Sequence, residues 1–374
     1  MQSPSQAGAA IATRSVMGYN PRMRDRHDNL RDLVQRALAR RAPLAHAERP
    51  ATTMYRLIHG AGDGLPGFTV DRYTQCPVDA DARQGRPDVV LVVNDYTQCP
   101  VGVDDPAELS PALLDALVEI VQPRAIYVKR RPPEAARLTE ADVTTLAPVE
   151  PVWGTAVPEV AGLEAGLTYL VRPGAGLNVG LFLDMREVRQ RVRAWSAGRT
   201  VLNTFSYTCA FGVTALAGGA ARVLNVDLSR ATLSWGQDNY RANGLPADPY
   251  DFVYGDVFDW LGRLARRGQT FEMVILDPPS FSRARGRRFQ AARDYGQLVT
   301  QAAGVLSPGG LLLACCNLAK LSPQAFRRQV LAGLAEAGRS DRVIDTYHEP
   351  AVDFPVAPGR KPYLKVLAVE VKPD

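Results

Sequence analysis

The fold of this chain is decided by the stretches VLNTFSYTCAFG (201–212), VLNVDLS (223–229) and VILDPPS (274–280). Each begins with an apolar run of strand length and ends in polar or turn-forming residues. Two more such runs occupy 251–256 and 310–317, and segments compatible with helices separate all five. This alternation predicts a parallel, doubly wound α/β sheet. Ligands of such sheets bind beyond the carboxyl ends of the strands.

Polar residues lie at the ends of four of these predicted strands: Asn203, Asp227, Asp256 and Asp277. A carboxylate at the end of the second strand can accept both hydrogen bonds of a ribose diol, which suits Asp227. Asp256 is placed to accept a proton from an adenine amino group, with Val257 or Phe258 beside the ring. The first loop has Gly212 as its only glycine, so it lacks the GxGxxG cradle for a pyrophosphate. The pattern therefore favours S-adenosylmethionine over a dinucleotide.

The Asp277-Pro278-Pro279 turn after the fourth strand has a chemistry of its own. Two prolines cannot continue a strand ladder and fix a rigid turn with exposed carbonyls. Those carbonyls and Asp277 can accept the amino protons of a flat base, while Phe281 offers a stacking face. A loop that only ends the strand is the alternative. Arginines follow within eleven residues, and beside the pocket they favour an arm that binds phosphates: Arg283, Arg285, Arg287, Arg288 and Arg293.

Composition excludes several classes of protein. The chain has 374 residues, 46% of them apolar, which is enough for a sizeable core. No apolar run reaches the ~18 residues of a membrane span, and no secretory signal precedes the helix. Five cysteines and four histidines make a disulfide framework or a zinc site improbable, so we expect no metal. The net charge of +5 permits an acidic partner. We expect a soluble, cytoplasmic protein that is a monomer or homodimer.

Five regions are predicted along the chain. They are a flexible tail, a helix with its linker, a small α+β domain, a linker with a hairpin, and the doubly wound domain: 1–22, 23–53, 54–135, 136–172 and 173–374. The helix between Arg24 and Arg41 is amphipathic and is expected to pack on the neighbouring domain. The hexapeptide YTQCPV occurs at 73–78 and again at 96–101, and no role is assigned to its cysteines.

A family resemblance runs from about Arg24 to the C-terminus. The motifs DGLPGFTVDRY, GLFLDMREVR, VLNVDLSRATLSWGQDNYRANGL, ARDYGQL and LSPGGLLLA, with those quoted above, resemble the bacterial large-subunit (23S) rRNA methyltransferase I family. These are class I S-adenosylmethionine-dependent RNA (cytosine-5) methyltransferases. The resemblance implies a class I, Rossmann-like methyltransferase domain behind a small α+β central domain, and rRNA as substrate. Most members carry an N-terminal PUA module, for which the segment before Met54 is too short.

The resemblance also implies site residues. Those of the cofactor site are Asp184, Asn203, Phe205, Ser206, Tyr207, Thr208, Asp227, Leu228, Asp256, Val257 and Asp277. Asp277 would also face the methyl group and the base. The substrate side would comprise Pro278, Pro279, Phe281, Arg283, Arg285, Arg288 and Asn317. One departure is the turn at 177–180, where the family has a QKTG-like sequence.

The nucleophile is the second departure. Carbon-5 of cytosine needs a cysteine thiolate to add at carbon-6 before it can attack a sulfonium. Counted from the Gly-Gly pair, the family's cysteine position falls on Asn317, one residue after Cys316. The first hypothesis is 5-methylcytosine formation with Cys316 as nucleophile and Asp277 as its catalytic partner, with Cys315 as the lesser candidate. The alternatives are N-methylation of a purine, as in the related guanine-N7 methyltransferases, with Asn317 positioning the base, and a non-catalytic RNA-binding or assembly protein.

Overall fold

The computed structural model describes residues 21–45, 52–76, 88–97, 106–132, 139–284 and 287–372. Cys99 and Arg285 lie outside these residues, as does the predicted tail except for its last two positions. Those two positions belong to the first helix, because a proline such as Pro21 is favoured at the first helical position.

The N-terminal part is built on a five-stranded sheet. Its elements are α1 (Pro21–Ala45), β1 (Met54–His59), β2 (Phe68–Thr74), β3 (Val89–Asp95), α2 (Pro106–Val121), β4 (Ala125–Arg130), α3 (Glu140–Leu146) and β5 (Trp153–Gly154). The strand order is β1-β2-β3-β4-β5, and β3/β4 is the parallel pair. The β5 strand lies inside the predicted linker and pairs with β4. One face of the sheet packs on α1 and α2 through an apolar cluster that includes Val34, Val70 and Leu117.

A hairpin connects this part to the rest of the chain. It consists of β6 (Val160–Glu164) and β7 (Leu167–Val171) and is followed by a 3-10 turn at Leu183–Met185.

The C-terminal part is built on a seven-stranded sheet. Its elements are α4 (Arg186–Trp195), β8 (Thr200–Thr204), α5 (Ala210–Ala217), β9 (Arg222–Asp227), α6 (Arg230–Ala242), β10 (Phe252–Tyr254), α7 (Val257–Arg266), β11 (Phe271–Leu276), β12 (Phe281–Ala284), β13 (Arg287–Gln290), α8 (Ala291–Ala303), β14 (Leu306–Cys316), α9 (Pro323–Glu336), β15 (Asp341–Tyr347) and β16 (Lys365–Val371).

The order of this sheet confirms the predicted doubly wound α/β class. The strands run β10-β9-β8-β11-β14-β16-β15, with the first five parallel and β16 antiparallel to both neighbours. Apolar clusters cover both faces, one under α7, α8 and α9 and the other under α4 and α5. The order reverses between β8 and β11, which opens a crevice at their carboxyl ends.

Buried ion pairs and hydrogen bonds hold the two parts and the hairpin together. Arg186 donates to both carboxylate oxygens of Asp353 at 2.7 Å. Arg189 likewise donates to both oxygens of Glu164, on the hairpin, at 2.6 Å. Arg41 of α1 donates to the Asp353 carbonyl at 3.0 Å, so the N-terminal helix is tied to the C-terminal part. The Arg56 amide of β1 donates to Asp353 Oδ2 at 3.3 Å, so Asp353 joins the five-stranded sheet to the C-terminal part.

None of the helices within the described ranges is long and apolar enough to cross a membrane. Over the same ranges, no three histidine, cysteine or acidic side chains are grouped as a metal site would require.

Candidate active site

The loop after β8 is held in an unusual backbone conformation. Phe205, Tyr207 and Cys209 have φ values of 51°, 49° and 59°, the left-handed region that residues other than glycine rarely adopt. Each such residue costs about 1–3 kcal/mol and needs its surroundings to hold it. The Tyr207 amide donates to Asp227 Oδ2 at 2.8 Å, and the Thr208 hydroxyl donates to the Gly180 carbonyl. The loop is thus fixed between β9 and the segment before α4, as a preformed binding loop would be.

The carboxylates at the strand ends hold their own loops. Asp227 accepts from the amides of Tyr207 and Ser229, both at 2.8 Å, while burial raises its pKa. Asp256 caps α7 by accepting from the amides of Phe258 and Asp259. Capping, the simpler role for such an aspartate, is therefore present at Asp256. Leu228 lies beside Asp227 and is 40% exposed.

Other predicted cofactor residues are less accessible. The Asn203 side chain is 1% exposed and donates to Asn225 Oδ1 at 2.9 Å, so it joins β8 to β9 within the sheet. Ser206 and Thr208 are buried, whereas their neighbours Phe205 and Tyr207 are half-buried. Val257 is buried at the start of α7.

Two carboxyl groups, Asp184 and Asp277, interact electrostatically in this part of the molecule. Asp184 accepts from the Tyr363 hydroxyl at 2.7 Å, and burial raises its pKa. Burial, with a smaller contribution from the Asp184 charge, raises the pKa of Asp277 to about 7, while the Arg189 charge acts in the opposite direction. Among the described residues, Asp277 has no hydrogen-bond partner. A desolvated carboxyl without a donor suits a cationic ligand, and S-adenosylmethionine carries a sulfonium and an ammonium group.

A cavity of about 310 Å³ lies between the two sheets, and its wall includes Asp184 but not Asp277. The C-terminal part contributes Asp184, Tyr207, Asn317 and Tyr363 to its wall, and Phe182 of the connecting segment lies at its edge. The opposite wall belongs to the five-stranded sheet: Arg56, Thr69, Asp71, Tyr73 and Asn94. None of these five residues was predicted from the sequence to belong to a site. The available signal was the alternation of Thr69, Asp71 and Tyr73 on one face of β2.

The candidate nucleophiles differ in orientation. Cys316 is 1% exposed and belongs to the apolar cluster under α8 and α9, whereas Cys315 belongs to the cluster on the other face. Burial raises the pKa of Cys316, while a hydrogen bond from the Leu318 backbone and the charge of Lys365 lower it. Of the described residues in this segment, Asn317 lines the cavity. Its Oδ1 accepts from the Ser280 hydroxyl at 2.8 Å, which joins it to the Asp-Pro-Pro turn.

The remaining substrate-side residues lie on that turn and the hairpin after it. Pro278 is buried, Pro279 is exposed, and Phe281 is half-buried at the start of β12. Arg283 of β12 lies opposite Arg288 of β13 in the register of the antiparallel strands, and Arg288 is exposed.

Comparisons with known proteins agree with this geometry. Residues 147–361 match the family model of S-adenosylmethionine-dependent methyltransferases. The "Putative ribosomal RNA large subunit methyltransferase YwbD" of Bacillus subtilis is 29% identical over 98% of this chain and 89% of that protein. Ribosomal RNA large subunit methyltransferase I of Serratia proteamaculans is 34% identical over 83% of this chain and 72% of its own length. The crystal structure of SMU.776 complexed with SAH aligns with a TM-score of 0.77 at 28% identity, over 92% of this chain and 82% of that one.

Proposed function

We propose that this chain, which belongs to the family of S-adenosylmethionine-dependent ribosomal RNA large subunit methyltransferases, methylates a purine ring nitrogen of large-subunit rRNA without a cysteine adduct. Its cofactor is S-adenosylmethionine, as the sequence analysis predicted. The observation that carries the proposal is the position of Asn317, whose side chain lines the cavity while that of Cys316 lies in the apolar cluster.

The proposed cofactor residues follow the strand ends. Asp227 would accept the ribose hydroxyls, Asp256 and Val257 would border the adenine, and Tyr207 of the strained loop would border the methionine portion. When bound, S-adenosylmethionine supplies an activated methyl group on a positively charged sulfur. Asp277 would face that charge, and the charge would favour its ionised form over the neutral one.

The chemistry asked of the chain depends on the attacking atom. A ring nitrogen has a lone pair and needs only to be aligned with the methyl group, so positioning is sufficient. Carbon-5 of cytosine needs a thiolate, and Cys316 is a buried thiol with a raised pKa. Asn317 accepts from Ser280 through Oδ1, which leaves its amide protons for the base. Asp277 would accept amino protons of the same base.

The deciding experiment maps methylated nucleotides in rRNA by mass spectrometry, from cells with and without the gene. We expect the gene-dependent methyl group on a purine nitrogen. Cys316→Ala should retain methyl transfer, whereas Asn317→Ala should lower it. Transfer of no methyl group to rRNA would contradict the proposed function as a whole.

A second candidate is 5-methylcytosine formation through Cys316, the first hypothesis from the sequence. The observation in its favour is Lys365, which lies directly opposite Cys316 on the neighbouring strand and so projects from the same face of the sheet. Lys365 is 4% exposed, and its ammonium donates to the carbonyls of Leu318 and Tyr363 at 2.6 Å. This candidate predicts that rRNA containing 5-fluorocytosine at the target stays covalently bound to the wild type but not to Cys316→Ala.

A further inference from the structure

We propose that the five-stranded sheet supplies the hydrogen-bonding wall for the everted target base, and that the Tyr73 hydroxyl is the group on this wall that bonds to it. The inference rests on the proposed function and adds a specificity-determining residue from outside the methyltransferase sheet.

The five-stranded sheet turns a polar face toward the cavity. Thr69, Asp71 and Tyr73 alternate along β2 and therefore share one face, whereas Phe68 and Val70 pack on the helices behind. Thr69 and Asp71 are 7% and 6% exposed. Burying polar groups costs free energy unless they are hydrogen-bonded, and packing alone would be served by apolar residues. A buried polar face beside a cavity therefore indicates a binding role.

A network of hydrogen bonds holds this wall in place without any ligand. Arg56 donates to both oxygens of Asp71 at 2.7 and 3.1 Å. Asn94 donates to Asp71 at 3.2 Å and accepts from Arg131 at 2.9 Å. Arg131 also donates to Asn178 Oδ1 at 3.2 Å, in the turn where this chain departs from its family. The network joins β1, β2, β3 and the 177–180 turn and holds the wall in place.

The Tyr73 hydroxyl does not take part in this network of hydrogen bonds. Tyr73 is 1% exposed and lines the cavity, yet its hydroxyl has no hydrogen-bond partner among the described residues. Burial raises its pKa well above the ordinary value, so the group remains a neutral hydroxyl that can both donate and accept. In the described part of the chain, the side-chain atoms that are fully buried without a partner are Gln301 Oε1 and Gln329 Oε1, so the Tyr73 hydroxyl is not sealed in the core but open to the cavity. A ligand in the cavity supplies the missing partner.

The cavity that Tyr73 lines has the size and the walls to hold a single base. Asn317 and Asp184 form the far wall, at the transfer centre. Phe182, 45% exposed, lies 5.4 Å from the Tyr207 ring and offers a face on which a base can stack. A volume of about 310 Å³ is at the small end of ligand pockets. A single flat base with polar edges fits all of these walls.

The test compares Tyr73→Phe with the wild type, using an unmodified large-subunit rRNA transcript and radiolabelled S-adenosylmethionine. The substitution removes one oxygen and leaves the ring, so we expect kcat/KM for the transcript to fall about tenfold, the value of one hydrogen bond. The Kd for SAH should change less than twofold. The thermal midpoint should not fall, because no bond within the protein is lost. Tyr55→Phe is the matched control, since Tyr55 lies on the opposite face of the same sheet and contacts Arg72.

Unchanged kcat/KM in Tyr73→Phe would overturn the inference while leaving the proposed function intact. A loss of SAH affinity equal to the loss of activity would also overturn it, because Tyr73 would then contact the cofactor. If the wild type transfers no methyl group, the proposed function fails. Binding of the transcript in the presence of SAH then decides the inference: weaker binding by Tyr73→Phe than by Tyr55→Phe supports it, and equal binding overturns it.

Discussion

Replacing Asp277 by Asn should make the protein more stable and less active. In the folded chain the pKa of Asp277 is about 7, against 3.8 for an unperturbed aspartate. A raised pKa means that the folded state binds a proton that the unfolded state has already released. The carboxyl group therefore destabilises the fold as pH rises from about 4 to 7, and the full penalty remains above pH 7. Asparagine has no such proton to release.

The magnitude follows from the same pKa. A tenfold change in proton affinity corresponds to about 1.4 kcal/mol, so the step from 3.8 to about 7 corresponds to about 4 kcal/mol. We expect Asp277→Asn to be more stable than the wild type by up to about 4 kcal/mol at pH 8, by about 1–2 kcal/mol at pH 5, and by almost nothing below pH 4. Methyl transfer should fall, because the substitution removes the carboxylate that we propose faces the sulfonium and the base.

Urea denaturation at pH 4, 5, 6.5 and 8 measures the free energy of unfolding of both proteins. The difference between them at each pH isolates Asp277, because the other titrating groups are common to both. Glu150→Gln, which removes an exposed carboxylate, is the control and should show no comparable trend. A difference that stays constant with pH, or a variant less stable than the wild type at pH 8, would refute the reasoning.

Three further outcomes are expected. Arg189→Met should cost about 3–5 kcal/mol of unfolding free energy, because it leaves Glu164 buried without its partner, and Glu164→Gln in the same chain should recover part of the loss in urea denaturation. Phe182→Ala should weaken binding of the rRNA transcript about 5- to 100-fold, the value of one base stacked on an aromatic ring, and a thermal midpoint far below the wild type would argue against a surface role. Gly180→Ala should cost about 3 kcal/mol and weaken SAH binding in calorimetry, because its φ is +121° and the added Cβ would lie 2.4 Å from the Trp235 ring; a fully stable variant would contradict this packing.

Much of the fold could be predicted because its signals are local. Apolar runs of strand length, separated by segments of helical period, predict a doubly wound sheet without knowledge of any distant contact. The final strand was also predictable, since the mostly apolar segment Lys365–Val371 has strand length. The β5 strand was not, because two residues carry no periodicity and Trp153–Gly154 becomes a strand only by pairing with β4.

The shared location of the strand-end aspartates was predictable for a related reason. Parallel strands end at the same edge of a sheet, so the polar residues at their ends, Asp227, Asp256 and Asp277, must lie near one another. The sequence did not reveal that Asp256 caps α7 or that Asn203 bonds within the sheet, because each depends on the position of a partner amide or side chain.

By itself, the sequence determined the class of sheet, the edge at which ligands bind and the kind of cofactor, since these depend on the order of short segments. Only the tertiary structure decided which neighbour on β14 lines the cavity. Alternation along a strand requires Cys315 and Cys316 to point to opposite faces, but the layers packed on those faces decide what each meets. The tertiary structure also brought Tyr73 and Asp71 into the same cavity as Asn317, more than 240 positions away in the chain. Hydrogen bonds between distant segments, such as those from Arg41 and Arg56 to Asp353, fix that meeting, and no local pattern encodes them.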